Sequence, residues 1–216
     1  MTVAAAPVPK PRMRGWIHAV MAPVSAMAGA TLVVTAPTAQ ARLASAIFAA
    51  TSVLLFTTSA LLHRGRWSPD TESILRRLDH ANIYLIIAGS YTPFAMLAMP
   101  PDQGATLLWI VWVGAAFGVF FRVFWLAAPR WLYTALYVVI GWVAVFFVPE
   151  LVEGAGPLVV ALVFTGGLLY TAGAIVYALK RPNPSPDWFG FHELFHSLTV
   201  AAYVTHFVAI WIVVHA

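Results

Sequence analysis

The sequence has no cysteine among its 216 residues. Disulfides, thiolate metal ligands and cysteine nucleophiles are therefore excluded. Charge is nearly as scarce: Asp, Glu, Lys and Arg make up 9% of the chain, where a soluble domain carries about a quarter. With 61% hydrophobic residues, neither a soluble single-core enzyme nor a disordered chain fits. What remains is a polytopic membrane protein. A crossing helix takes about 20 residues, so seven crossings would leave room for tails and short loops and none for a soluble domain. The net charge of +4 would suggest nucleic acid in a soluble chain. Here the basic residues sit between apolar runs, where they read as topology signals, and no nucleic-acid partner is expected.

Hydropathy and chain breakers divide the sequence. Residues 1–15, with three prolines and Lys10, Arg12 and Arg14, read as a disordered cytoplasmic tail. Residues 16–216 read as one all-α domain, a bundle of seven transmembrane helices. The expected spans are 16–37, 41–63, 79–99, 105–127, 130–148, 157–179 and 189–215. Ala39-Gln40-Ala41 resembles a signal-peptidase site, but the apolar run before it exceeds the 7–15 residues of a signal h-region, so it reads as a retained first helix. The glycines of the sixth span, Gly166, Gly167 and Gly173, predict close helix packing. Ser90, Thr92 and Pro93 predict a local kink in the third.

Orientation follows from the basic residues. Lys10, Arg12, Arg14, Arg64, Arg66, Arg76, Arg77, Arg122, Arg130, Lys180 and Arg181 fall on one side of such a bundle, and only Arg42 on the other. This bias predicts a cytoplasmic N-terminus and an extracytoplasmic C-terminus in the inner (plasma) membrane.

Titratable groups inside spans are costly and need a reason. His63 ends the second span, Asp79 and His80 begin the third, and His192 and His196 lie in the first turns of the seventh. A topology assigned from Lys and Arg alone thus brings three separate segments to one depth, near the cytoplasmic face. His192 and His196 are at i and i+4, on one helix face, a common two-point metal clamp. His63 would supply a third imidazole. Three neutral histidines and an open position form a catalytic zinc pattern, and nitrogen donors favour zinc over Mg²⁺ or Ca²⁺ and leave Fe, Co or Mn as alternatives. Asp79 is the expected partner of the open position, accepting a proton from water there. Ser59, one turn before His63, could steady that water or polarise a substrate carbonyl. The N-terminal dipoles of the third and seventh spans would favour developing negative charge.

Plainer roles compete. Asp79 could pair with Arg76 or Arg77, and Ser59 could bond back to its own helix. His206 lies about 15 Å along the helix from His196 and reads as an interhelix contact. His80 points about 100° away from Asp79 and reads as structural. His18 and His215, near span ends, read as wetted by solvent. His192-Glu193-Leu194-Phe195-His196 also matches HExxH, which would make Glu193 the general base of an intramembrane metalloprotease.

Three blocks carry a resemblance: Ser59-Ala60-Leu61-Leu62-His63; Arg76-Arg77-Leu78-Asp79-His80 running on to Ala88-Gly89-Ser90-Tyr91-Thr92-Pro93-Phe94; and Phe189-Gly190-Phe191-His192-Glu193-Leu194-Phe195-His196, with His206 beyond. Together they resemble the signature blocks of bacterial hemolysin III-like proteins, in the progestin and adipoQ receptor superfamily. The resemblance implies a seven-helix bundle with zinc near the cytoplasmic face. It implies His63, His192 and His196 as ligands, Asp79 as partner of water at the zinc and Ser59 beside it. It also implies hydrolysis of a lipid amide or ester, ceramidase-like and tied to membrane-lipid homeostasis, with membrane lipids as partners. A receptor or lipid sensor with structural zinc is the alternative. The hemolysin name adds a pore former, although no amphipathic insertion segment is present. Nothing in the pattern fixes an oligomeric state.

Overall fold

A computed structural model describes residues 11–125 and 127–216. Seven α-helices follow in order: α1 (Trp16–Thr35), α2 (Ala39–Arg64), α3 (Pro69–Leu97), α4 (Pro101–Phe124), α5 (Arg130–Gly141), α6 (Val148–Leu179) and α7 (Phe191–Val214). A 3₁₀ helix, Val143–Phe147, links α5 to α6, and no strand is present among the described residues. The protein is all-helical, as expected. Five helical stretches are long and apolar enough to cross a bilayer: α1, α2, α4, α7 and the continuous run Arg130–Leu179. That run covers both the fifth and the sixth expected spans. α3 is outside the five because Asp70, Glu72, Arg76, Arg77 and Asp79 fill its first turns and Asn82, Ser90 and Thr92 interrupt its apolar part.

The exterior is apolar, and the largely apolar interior also holds buried polar side chains, whereas a soluble domain turns polar residues outward. Phe146 is 81% exposed, Val34 79% and Trp109 72%, while Ser45, Ser52, Ser59 and Asn82 are buried. With lipid outside, every buried polar group must be satisfied by the protein itself. Thr51 and Ser52 bond back to carbonyls of α2, and Trp112 donates to the Thr92 hydroxyl between α4 and α3 at 3.1 Å. Sequential helices pack side by side, and α7 also lies on α1 and α3, which closes the ring.

Helix boundaries follow local chemistry. Ser68 caps α3 by accepting from Thr71 N at 3.3 Å, and Pro69 occupies its first turn. α3 therefore starts ten residues before the expected span, adding turns that carry Asp70, Glu72, Arg76 and Arg77. α5 stops at Gly141, short of the expected 148, because Tyr91 of α3 occupies the break: its hydroxyl donates to Gly141 O at 2.7 Å and accepts from Ala144 N at 2.9 Å. α6 is interrupted at Gly156, whose φ of +82° is left-handed, and Pro157 restarts the helix where the sixth span was expected. The glycines of α6 do allow close approach. A Cβ on Gly166 would fall 2.8 Å from His206 Nε2, and one on Gly173 3.3 Å from the Phe195 ring.

The first ten residues of the expected disordered tail lie outside the described residues. Its last part, by contrast, is tied down. Arg12 N donates to Asp187 O at 2.9 Å, Met13 N donates to Trp188 O at 3.1 Å, and the Arg12 guanidinium lies over the Trp188 ring. This short strap crosses the same end of the bundle as the termini of α2 and α7 that carry the histidines.

Candidate metal centre

α2 delivers His63 in its last turn, and α7 delivers His192 and His196 from its first two turns. One ring nitrogen from each of the three lies within 4.8 Å of the others. His63 Nε2 and His192 Nε2 are 3.1 Å apart. Two imidazoles bound tetrahedrally at about 2.0–2.1 Å would hold their nitrogens roughly 3.3 Å apart, so the pair already has nearly the separation that a shared cation requires. His196 is buried and the other two are half-buried. The donor set is all nitrogen with no carboxylate in it, which fits a zinc-like ion rather than an oxygen-seeking one. The chain thus has a centre that can hold a metal ion.

The remaining expected residues fall around it. Ser59 is buried one turn before His63, and Asp79 of α3 lies within hydrogen-bonding reach of its hydroxyl. Asn82, one turn beyond Asp79, fixes this register: its amide donates to Leu54 O at 3.1 Å and to Thr58 Oγ1 at 3.0 Å on α2. Arg76 pairs with Glu72 at 2.5 Å and Arg77 donates to the Val123 carbonyl; neither makes an ion pair with Asp79 among the described residues, although the Arg76 charge still acts on Asp79. His80 bonds Arg76 O at 2.6 Å and Tyr177 Oη at 3.3 Å and also lines a cavity beside the centre. His206 makes the expected interhelix contact, to Val163 O at 3.2 Å.

Two expectations need correcting. His215 is exposed, but His18 is 3% exposed rather than wet. It stacks on His196 with ring centroids 3.7 Å apart and planes 3° from parallel, and meets Phe56 edge-on. α1 buries the face that carries His18, Ser25, Gly29 and Leu32, and that brings His18 to the centre. Glu193 does not point at the histidines' shared space. It is 1% exposed, accepts from Gly190 N at 2.8 Å and pairs with Arg14 Nε at 2.6 Å. Its carboxylate caps α7 and holds the strap.

A cavity of about 390 Å³ opens beside the centre. At one end it is lined by His63, Asp79 and His192, and it runs past Ile87 and Tyr170 to His206. The walls are mostly apolar and aromatic, the usual composition of a small-molecule site. Tyr177 reaches this wall from α6, with its ring beside Phe195 and its hydroxyl near those of Tyr133 and His80's ring. Tyr177, Arg14 and His18 were not among the expected site residues. His18 was detectable: a histidine inside an apolar run needs a partner under the rule applied to the others.

The haemolysin-III related family matches this chain over residues 7–207. A Hemolysin-3 homolog of Bacillus subtilis (strain 168) is 38% identical over 149 residues, 67% of this chain and 68% of that protein. Hemolysin-3 of Bacillus cereus is 34% identical over 144 residues, 67% of this chain and 65% of that protein. The chain therefore spans about two thirds of the length of each curated relative.

Proposed function

The chain belongs to the haemolysin-III related family of multi-pass membrane proteins, and on that premise we propose that it is a zinc-dependent membrane hydrolase acting on a lipid amide or ester. The observation that carries this reading is the convergence of His63, His192 and His196 beside a largely apolar cavity, with Asp79 on its wall. In this reading the bundle crosses the membrane seven times, α3 included. The N-terminus and the centre lie on the cytoplasmic side, in the inner membrane, and the C-terminus lies on the other. The support for that orientation is the collection of basic residues at the end that carries the histidines.

Zinc held there would polarise a carbonyl and acidify water. The protein's own part is positional. The apolar stretch between Ile87 and Tyr170 would take an acyl chain and exclude bulk water from the reacting end. Asp79, half-buried and held by Ser59, would accept the proton released by the attacking water and pass it to the leaving amine or alcohol. Asn82 keeps Asp79 on the α2 side of the cavity. A role in membrane-lipid homeostasis is part of the same proposal.

Purified without chelator, the protein should carry about one zinc per chain, and His192→Ala should lose it. A folded full-length protein free of metal under those conditions would sink the reading. Asp79→Asn distinguishes hydrolysis from a receptor or lipid sensor with structural zinc: hydrolysis stops while metal is kept, whereas a sensor keeps its lipid response. The metalloprotease reading loses support because the Glu193 carboxylate is occupied by Gly190 N and Arg14. Pore formation, suggested by the relatives' names, predicts leakage from liposomes carrying the purified protein.

A further inference from the structure

Arg122 was counted as a topology charge at the end of the fourth expected span. It lies in the last turn of α4 and is 2% exposed. Its guanidinium sits over the Tyr133 ring at 4.3 Å, but Nε and Nη1 have no hydrogen-bond partner among the described residues. A cation buried in this way costs several kcal/mol unless it is paired. The carbonyl end of α4 favours a positive charge but leaves those N–H groups without acceptors.

Around it are further donors, and among the described residues no carboxylate pairs with Arg122. Tyr84 is fully buried and its hydroxyl is also without a partner. Its ring lies against Gly118, where a Cβ would fall 2.3 Å from Tyr84 Cδ1. Gly118 is one turn before Arg122 on the same face of α4, so ring and guanidinium are neighbours. Arg77 reaches this corner from α3, donating to Val123 O next to Arg122. Arg130 enters from α5, stacked over Tyr177 at 4.7 Å and donating to its carbonyl at 3.2 Å. Among the described residues the ion pairs are Arg14 with Glu193 and Arg76 with Glu72, and none involves Arg77, Arg122 or Arg130. Three guanidiniums from three helices repel one another unless an anion joins them.

We propose that the corner of α3, α4 and α5 is a phosphate-binding site, with Arg122 and the Tyr84 hydroxyl at its back and Arg77 and Arg130 at its rim. Planar guanidinium donors match phosphate oxygens better than any other side chain. Phe124, Trp125 and Trp131 are exposed beside it, an aromatic fringe of the kind found at headgroup depth. The phosphate would come either from a lipid headgroup or from solution. Arg130 also lines the cavity beside the three histidines, but Arg122 and Tyr84 do not, and the site does not depend on the metal reading.

The test uses the full chain in neutral detergent. Phosphatidylglycerol, a galactosyl diacylglycerol without phosphate, and inorganic phosphate are titrated separately, with native mass spectrometry and the unfolding midpoint as readouts. Wild type should bind phosphatidylglycerol saturably and gain thermal stability from it, while the galactolipid does neither. Competition by inorganic phosphate assigns a solution source; its absence assigns the headgroup. Arg122→Met should weaken binding about tenfold or more, Tyr84→Phe severalfold, and the exposed control Arg66→Met less than twofold. Saturable binding absent in wild type overturns the proposal, even if Arg122→Met fails to fold. So do full affinity in Arg122→Met, and an equal loss in Arg66→Met.

Discussion

Arg14 Nε lies 2.6 Å from Glu193 Oε1, across 179 positions of sequence, while Oε2 of the same carboxylate caps α7. One buried carboxylate thus joins the strap, the start of α7 and, through His192 and His196 on either side of it, the candidate metal centre. Removing Arg14 would leave Glu193 buried without its countercharge. Arg14→Ala should cost about 3 kcal/mol of stability, the usual penalty for orphaning one member of a buried pair. Glu193→Gln, which keeps a capping oxygen, should cost less. Unfolding of both variants and of the double variant measures this; an Arg14→Ala protein as stable as wild type would contradict it.

Gly15 makes a second tie between the strap and the centre. Its φ is +77°, and an added Cβ would fall 2.7 Å from His63 Cβ. Gly15→Ala therefore meets both left-handed strain, about 1–2 kcal/mol, and a displaced ligand helix. It should lower stability and loosen the metal, read as faster zinc loss to a soluble chelator. Gly141→Ala is the comparator, because nothing lies within 4 Å of a Cβ there. It should be neutral or slightly stabilising. Equal zinc loss from the two variants would dissociate Gly15 from the centre.

The ligand geometry was legible because it rests on two periodicities. The i, i+4 spacing put His192 and His196 on one face, and alternation of the helices brought His63 to the same end. The same arithmetic held His206 away from the centre. What it could not reach was rotation: whether a residue near a helix end turns inward depends on neighbouring helices. His18 fails for this reason, and the burial of Arg122 was not foreseen, since an apolar run tells how deep a residue lies but not what it faces. Breaks were legible where backbone chemistry forces them, as at Gly156-Pro157. They were not legible where a distant side chain supplies the lost bonds, as Tyr91 does for Gly141 and Ala144.

His18 supports His196 by stacking and contributes no ligand atom to the group of three. Its role should therefore be met by a flat ring of any chemistry. His18→Phe should keep zinc near wild-type affinity. His18→Ala removes the stacked ring and should weaken zinc about 10–100-fold, as loss of groups that orient metal ligands does. Competition with a chromophoric chelator gives the affinities. If His18→Phe loses zinc as fully as His63→Ala, His18 is a ligand and the support role is wrong.

Asn82 tests whether Asp79 acts from a fixed position. Its amide makes two bonds to α2, at 3.1 and 3.0 Å, one turn from Asp79 and away from the histidines. Asn82→Ala should cost about 1–2 kcal/mol for those bonds and let α3 shift against α2. Because no ligand residue is on α3, zinc content should stay unchanged. Hydrolysis of a lipid amide or ester should fall in kcat more than in KM, since the chain-binding wall is intact while the proton acceptor is misplaced. Loss of zinc together with turnover would make Asn82 part of the metal scaffold instead, and unchanged turnover would show that Asp79 needs no such hold.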